Sequence, residues 1–313
     1  MTFATMEYFV ILARERSFTR AAQQLHITQQ SLSAHIAALE QELGCQLLVR
    51  HVPLELTYAG TVFLEYAQSF RQSLNALRQE FCDITANQKG VLRLGIAFTR
   101  GRTIMPDLIA AFQREYPNIS IVLDEDTNEA LHKNLLNGEI DLAIANFPNA
   151  LQGVELEDFY REEIVLLLSK QLLQRLYGEE TEAVLTSTAQ GDLTALHNCP
   201  FVMGDSADIA PHVGLTAIRR ANFRPNIKVT SNNMETLMAL CLRGVGGCFC
   251  PENLARAVLT PEQLGQLHLV RLGESARYPI RFGYLKQSYQ WSILSEFLRI
   301  ARQEFAHTER EES

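Results

Sequence analysis

The chain has 313 residues, 47% hydrophobic and 20% charged, a composition that excludes a disordered or low-complexity polymer and suits two or three packed domains. No apolar run approaches the ~20 residues of a membrane span, and no basic start with an apolar core marks an export signal. A cytoplasmic location without membrane partners is therefore expected, and a net charge of −8 excludes a polycation that holds nucleic acid by bulk charge.

Met6, Phe9, Val10 and Ala13 mark one face of a first amphipathic helix. A second follows Ser17, with Ala21, Ala22 and Leu25 turned inward; its small alanines permit close helix approach. Thr28 to Gly44 reads as a third. Leu32, Ile36, Leu39 and Leu43 recur at four, three and four residues, while Gln29, Gln30, Ser33 and Ala34 occupy the opposite face. Thr28 suits the N-cap and Gly44 the stop. Only His26 and Ile27 separate the second and third helices, so they cross sharply, as in a helix-turn-helix.

The third helix reads as a DNA recognition helix. Gln29 and Gln30 can bond bidentately to adenine in the major groove, and Ser33 can reach a base or phosphate. Thr28 and the helix N-terminus suit a phosphate. Two β-prone pieces, Gln46–Val49 and Leu54–Thr57, flank His51–Pro53 as a wing, with Arg50 and His51 placed for a minor groove or a phosphate. Residues 1–57 are thus expected to form a winged helix-turn-helix. Across residues 1–89 seven cations meet eight acids, so the DNA reading rests on the positions of Arg14, Arg16, Arg20 and Arg50, and non-specific binding should be weak.

From Tyr58 the pattern changes. Phe63, Ala67, Phe70, Leu74, Leu77, Phe81 and Ile84 alternate at four and three residues, the heptad rule of a helix that pairs with its twin. Residues 58–89 are read as a linker and dimerisation helix with a polar hinge at Asn87–Gly90; Phe63, Phe70, Leu74, Leu77 and Phe81 carry the seam. Two-fold pairing implies an interrupted palindrome with half-sites about one DNA turn apart or a multiple of it.

Residues 90–313 alternate strand and helix. Val91–Ala97, Thr103–Tyr116, Ile119–Glu125, Asn128–Leu136 and Ile140–Asn146 give a βαβαβ order and a parallel sheet. A second unit begins at Glu163–Ser169 and continues through Pro200–Met203, Ile209–Ala221, Asn226–Ser231, Met234–Arg243, Gly247–Cys250 and a helix from Glu252. Arg281–Lys286 and a helix Ser288–His307 return to the first lobe. Tyr177–Gln190 has no assigned role. Such two-lobed α/β units take a small molecule at the carboxyl ends of their strands. Thr99, Arg100, Gly101 and Arg102 follow a strand and open a helix, where hydroxyls, a glycine and cations suit an anion. Thr127 and Asn128, Asn146 and Phe147, Asn232, and Asp205 lie where strand changes to helix, and join the candidate contacts.

Phe9, Ser17 to Thr19, Ala21, Ala22, Leu25, Thr28, Gln29, Ser33, Ile36, Leu39, Glu40, Leu43, Gly44, Leu47, Arg50, Leu56, Thr57, Ala59 and Gly60 together resemble the LysR-type transcriptional regulators, and length and domain order agree throughout. The fold this implies is α/β: an N-terminal winged helix-turn-helix, a long linker helix, and a two-lobed Rossmann-like effector domain similar to periplasmic binding proteins. The resemblance also implies a dimer, or a tetramer built of dimers, on double-stranded DNA. It places Thr99 to Arg102 at the family's grip on an effector carboxylate and makes Phe249 a reserve contact; RNA polymerase is a further candidate partner. The family commonly has proline where Gln30 stands and arginine where Ala34 stands, so the usual half-site is not assumed.

Catalysis finds no support: the chain has no GxSxG, HExxH, Walker loop or GxGxxG, and its eight histidines include no i, i+4 pair. No metal or cofactor is expected. A solute-binding protein is disfavoured by the intact first 57 residues. The six cysteines form no CxxC, so buried thiols are expected, with a thiol switch at Cys248 and Cys250 or Cys199 as the alternative.

Overall fold

Three helices, each begun by a hydroxyl side chain, form the N-terminal head: α1 (Phe3–Glu15) is capped by Thr2, α2 (Phe18–Gln24) by Ser17 and α3 (Gln29–Leu43) by Thr28. Each cap oxygen accepts a first-turn amide that no helical carbonyl can reach. The computed structural model describes residues 1–51, 53–85, 89–189, 191–204, 208–287 and 289–311, with side chains to residue 305. Gly44 ends α3 at φ +69°, in the left-handed conformation that glycine enters without cost. Leu32, Ile36 and Leu39 are buried against Phe9, Leu12, Ala21 and Ala22; Leu43, the fourth member of the expected stripe, is exposed.

The strands β1 (Leu48–Val49) and β2 (Glu55–Leu56) pair antiparallel as the wing. A long helix, α4 (Tyr58–Ile84), follows from its Thr57 cap. Its first turns belong to the head. Phe63 meets Phe9 edge to face, with ring centroids 5.0 Å apart, and Gly60 lies under the Leu47 carbonyl. Further along, α4 leaves the head and docks on the first lobe of the C-terminal part: Gln79 donates to Asp141, and Asp83 accepts from the Ser292 amide and hydroxyl and from Tyr289. Asn87 and Gln88 of the expected hinge lie outside the described residues.

In the first lobe, β3 (Gly90–Ala97), α5 (Phe98–Glu115), β4 (Ile119–Asp126), α6 (Asn128–Leu136) and β5 (Leu142–Ala145) follow in turn, with β3 parallel to both β4 and β5. A 16-residue strand, β6 (Val154–Ser169), then runs out of the first lobe into the second. The helices α7 (Lys170–Tyr177) and α8 (Thr181–Ala189) come next. The second lobe continues with β7 (Pro200–Met203), α9 (Ile209–Arg220), β8 (Asn226–Thr230), α10 (Met234–Leu242), β9 (Gly247–Pro251), α11 (Glu252–Val258), α12 (Pro261–Leu264) and β10 (Leu267–Arg271). The chain returns through β11 (Arg277–Leu285) and closes with α13 (Ser292–Glu311). One sheet joins the lobes in the order β4-β3-β5-β11-β6-β9-β7-β8, with β10 also on β6.

Four expectations need correction. The second unit does not start with a fresh strand at Glu163: β6 begins at Val154 and pairs with β11 before it pairs with β9 and β10. Its first half breaks simple alternation, with Glu157 next to Asp158 and Phe159 next to Tyr160, so the period-two signal of a strand is lost. β11 likewise begins at Arg277, ahead of the expected Arg281. The helix α5 begins at Phe98, ahead of the expected Thr103, so Thr99 to Arg102 lie within its first turns. The stretch from Tyr177, left without a role as an elaborated connection, is part of the second lobe's packing, since Val184 and Thr188 of α8 are buried and Val184 joins that lobe's core.

Gly60 is the glycine this arrangement needs, because a Cβ there would lie 2.0 Å from the Leu47 carbonyl oxygen. A backbone atom cannot swing aside as a flexible side chain can. Gly60→Ala should destabilise the head by about 1–3 kcal/mol, the cost of overpacking, read as faster hydrogen exchange at the α3 amides; unchanged protection would count against this packing.

Candidate nucleic-acid interface and interlobe cleft

On the head, Thr28, Gln29 and Gln30 are exposed at the first turn of α3, and Ser33 is half-buried one turn on. Thr28 Oγ1 accepts the Ser31 amide, so its hydroxyl is engaged as the cap. Gln29 is held by Thr19, whose Oγ1 donates to Oε1 at 3.2 Å. That bond orients the amide and leaves its Nε2 protons outward. Sequence reasoning did not single out Thr19 as the residue that aims Gln29.

Arg50 does not project freely from the wing. It donates to Glu40 at 2.9 Å, and its guanidinium lies 5.9 Å from the Phe18 ring centre. The other oxygen of Glu40 accepts the Leu47 and Leu48 amides, so one carboxylate ties the wing to α3. His51 folds back onto the Pro53 carbonyl and faces Glu55 at 3.5 Å. Of the three arginines expected around one turn, Arg20 pairs with Glu15, while Arg14 reaches Glu139 of the first lobe. Arg14 is thus a contact between domains.

The expected dimer seam divides in two. Phe63 and Ala67 pack into the chain itself and Leu74 is half-buried, whereas Phe70, Leu77 and Phe81 are exposed by 44%, 50% and 58%. Ile84, at 69%, continues this open apolar face.

Between the lobes lies a cleft of about 280 Å³. It opens at the carboxyl ends of β3, β4, β7, β8 and β9, where Ala97, Asp126, Gly204, Ser231 and Pro251 line it. Thr99, Arg100, Thr127, Asn128 and Asn232 of the expected set also line it, joined by Glu129, Met234 and Tyr278. Asp205 lies outside the described residues. Thr127 caps α6 and Asn128 Oδ1 accepts the Asn146 amide.

The remaining expected contacts do not line the cleft. Phe147 is buried in the first lobe, stacked on His132 and pressed against Gly283; Asn146 turns its amide to the Pro279 carbonyl. Phe249 is buried in the second lobe, stacked on Phe201 at 5.8 Å with Gly214 against its face. Gly101 packs on Glu125, and Arg102 reaches across to pair with Glu235 of α10 on the other lobe.

Arg100 is the largest departure from expectation. It is 2% exposed and donates from Nε and Nη2 to both oxygens of Glu162, at 2.9 and 3.0 Å. Tyr160, Tyr278 and Asn253 donate to the same carboxylate. Burial alone would raise the Glu162 pKa, but the Arg100 charge and these hydrogen bonds outweigh it and hold the carboxyl below its ordinary value. The expected free cation is therefore already neutralised. Its Nη1, on the side of the fork away from Glu162, is buried without a partner among the described residues.

Two helices also point their starts at this cleft without a side-chain cap: α5 after Ala97 and α9 after Asp208. The first-turn amides of such a start carry partial positive charge, and at α9 the Asp208 carboxylate stands beside them.

Cys199, Cys241, Cys248 and Cys250 are buried in the second lobe. Burial pushes the Cys199 thiol up to about 12 and Cys241 well above 9, while Cys248 is raised first by its hydrogen bond with Cys250 and then by burial. Thiols kept protonated in this way are poor nucleophiles.

Removing one member of the buried pair strands the other. Arg100→Met should cost about 3–5 kcal/mol, and Arg100→Met with Glu162→Gln should cost less than Arg100→Met alone. Because the Glu162 pKa is lowered, its contribution is complete above about pH 4.5 and is lost as pH falls through the folded value. Fluorescence of Trp291, buried in the first lobe, followed through urea unfolding from pH 3 to 6 reads both effects. A Glu162→Gln variant that keeps the full acid slope would contradict them.

Residues 3–61 match the family described as bacterial regulatory helix-turn-helix protein, lysR family, and residues 85–306 match the LysR substrate binding domain. The uncharacterized HTH-type transcriptional regulator YcgK of Bacillus subtilis is 28% identical, over 98% of this chain and 96% of its own. The HTH-type transcriptional regulator ClcR of Pseudomonas putida is 28% identical, over 96% and 98%. Among solved structures, full-length OxyR C199D from Pseudomonas aeruginosa has a similar fold, with a TM-score of 0.69 at 22% identity over 97% of this chain and 95% of that one. CbnR complexed with its target DNA reaches 0.60, also at 22%, over 97% and 99%.

Proposed function

The chain belongs to the LysR family, DNA-binding transcriptional regulators with an effector-binding domain and not enzymes, and from that premise we propose which of its residues meet DNA and effector. The start of α3 enters the major groove, with Gln29 and Gln30 on base edges and Ser33 and Thr28 near the backbone. The observation that carries this is the exposure of Gln29 together with its fixed aim, since Thr19 sets the amide before DNA arrives. Arg50 and His51 sit on a wing clamped by Glu40, which supports a phosphate or minor-groove contact of fixed geometry. The open half of α4, from Phe70 to Ile84, pairs with a second copy and sets two heads on an interrupted palindrome. The regulator works in the cytoplasm, where its DNA is.

The effector occupies the interlobe cleft. A carboxylate or similar small anion fits the uncapped start of α5 and Nη1 of Arg100, while the acids Asp126, Glu129 and Asp208 keep its charge toward that side. Thr99, Asn128 and Asn232 supply the polar contacts. Phe147, Phe249, Gly101 and Asn146 act as packing and capping residues instead.

Gln29→Ala should weaken sequence-specific binding by about 1–3 kcal/mol, and Thr19→Ala by a smaller amount, because one removes the base contact and the other only its aim. Gel shifts on genomic fragments, with non-specific competitor held constant, measure this; full affinity in Gln29→Ala would remove the assignment.

A thermal-shift screen of small carboxylates tests the cleft. Ligand at about a hundred times its dissociation constant adds about 2.7 kcal/mol, enough to raise the melting point by several degrees. The shift should vanish in Asn232→Ala, an exposed position whose loss leaves the core intact. A hit indifferent to both Asn232→Ala and Thr99→Val would place the ligand elsewhere.

A further inference from the structure

We propose that α6 is a strut between the interlobe cleft and the DNA-binding half of the chain, and that Gln68, Arg71 and Gln72 are the positioning residues that receive its far end. The idea extends the effector reading above, because it says how a cleft ligand reaches the head.

The two ends of α6 have different neighbours. Its start lines the cleft through Thr127, Asn128 and Glu129, and is anchored there by the bond from the Asn146 amide to Asn128 Oδ1. Its end carries carbonyls that no further helical turn can satisfy. The linker helix α4 satisfies them: Gln72 Nε2 donates to the Leu136 carbonyl at 2.7 Å, Arg71 donates to the Asn137 carbonyl, and Gln68 donates to the Asn137 side chain at 3.1 Å. Gly138, at φ +66°, lets the chain turn directly under Gln72. One residue on, Glu139 accepts from Arg14 of α1 at 3.2 Å and lies 3.8 Å from Arg71. A helix of nine residues spans about 13 Å.

The body of α6 is fixed to the first lobe, so its two ends are tied to one rigid unit. Leu131 and Leu135 are fully buried in the first lobe. Its outer side, at Ala130, Lys133 and Asn134, borders an open crevice of about 680 Å³ that Val10, Ala13 and Arg14 of the head share, and Asn134 also donates to Asp124 of β4 at 2.9 Å. Contact between α6 and the DNA-binding half is thus concentrated at the helix end, in polar bonds that are directional and can be exchanged for water. A displacement at Asn128 is carried by a rigid element to the bonds that hold α4 and α1.

The test uses the full-length chain and needs neither effector nor operator, so it can fail while the DNA and ligand assignments stand. Hydrogen exchange is compared in Asn128→Ala, in Arg71→Ala with Gln72→Ala, and in the triple variant. Asn128→Ala should speed exchange along α6 and also at α4 amides 66–78 by about fivefold, the low end of an allosteric coupling. In the double variant the α4 amides should already exchange fast, and adding Asn128→Ala should change them no further. Asn233→Ala, which removes the cap of α10 on the opposite lobe, should leave α4 untouched, and α13 amides should stay protected throughout. The proposal is overturned if Asn128→Ala leaves α4 unaltered, if it adds the same increment in both backgrounds, or if Asn233→Ala does as much. Should Asn128→Ala fail to fold, Glu129→Lys, exposed in the first turn of α6, opposes the helix dipole and is read in the same way.

Discussion

One carboxylate holds the regulatory half together. Glu162 lies on β6 where that strand passes from one lobe to the other, and it gathers Arg100 from α5, Tyr160 from its own strand, Tyr278 from β11 and Asn253 from α11. Buried ions are costly unless paired and hydrogen-bonded on every side, and this one is. The arrangement fixes the floor of the cleft and the start of α5 together. The arginine charge is consumed in holding the floor, so Arg100 brings no unneutralised cation to the cleft.

The sequence was most informative where structure is local. Thr28 and Gly44 bound α3 because a cap and a left-handed stop act within one turn, and the spacing of Leu32, Ile36 and Leu39 follows from helix pitch alone. The alternation of strand and helix after Gly90 was legible for the same reason. What failed was long-range. Nothing near Arg100 announces that its partner stands 62 residues away, so a buried ion pair looked like an anion grip at a helix start. Phe147 and Phe249 were read from their position at strand ends, but each side chain turns into a core whose shape depends on Gly283 and Gly214. The first half of β6 was lost because its acids read as solvent residues, whereas Glu157 is half-buried and accepts from Tyr284 and Arg302. Phe159, moreover, sits where the register with β11 slips between Ile280 and Arg281, so simple alternation breaks.

The head presents little spare positive charge. Arg14 is engaged by Glu139, Arg20 by Glu15 and Arg50 by Glu40, while Arg16 is exposed and outside these pairs. A protein that meets DNA this way gains less from phosphate neutralisation and depends more on the fit of α3 in the groove. Arg14 joins the two themes, since it lies on the DNA-binding half and is held by the regulatory one.

The sheet that joins the lobes leaves β4 at one border and β8 at the other. Unpaired strand borders invite other chains to stack on them, and proteins guard against it with charge. Here β4 ends in three consecutive acids, Asp124, Glu125 and Asp126, and β8 carries Lys228 at its centre. Like charges would oppose one another if β4 met β4 of a neighbouring molecule in parallel register, so that stacking is disfavoured.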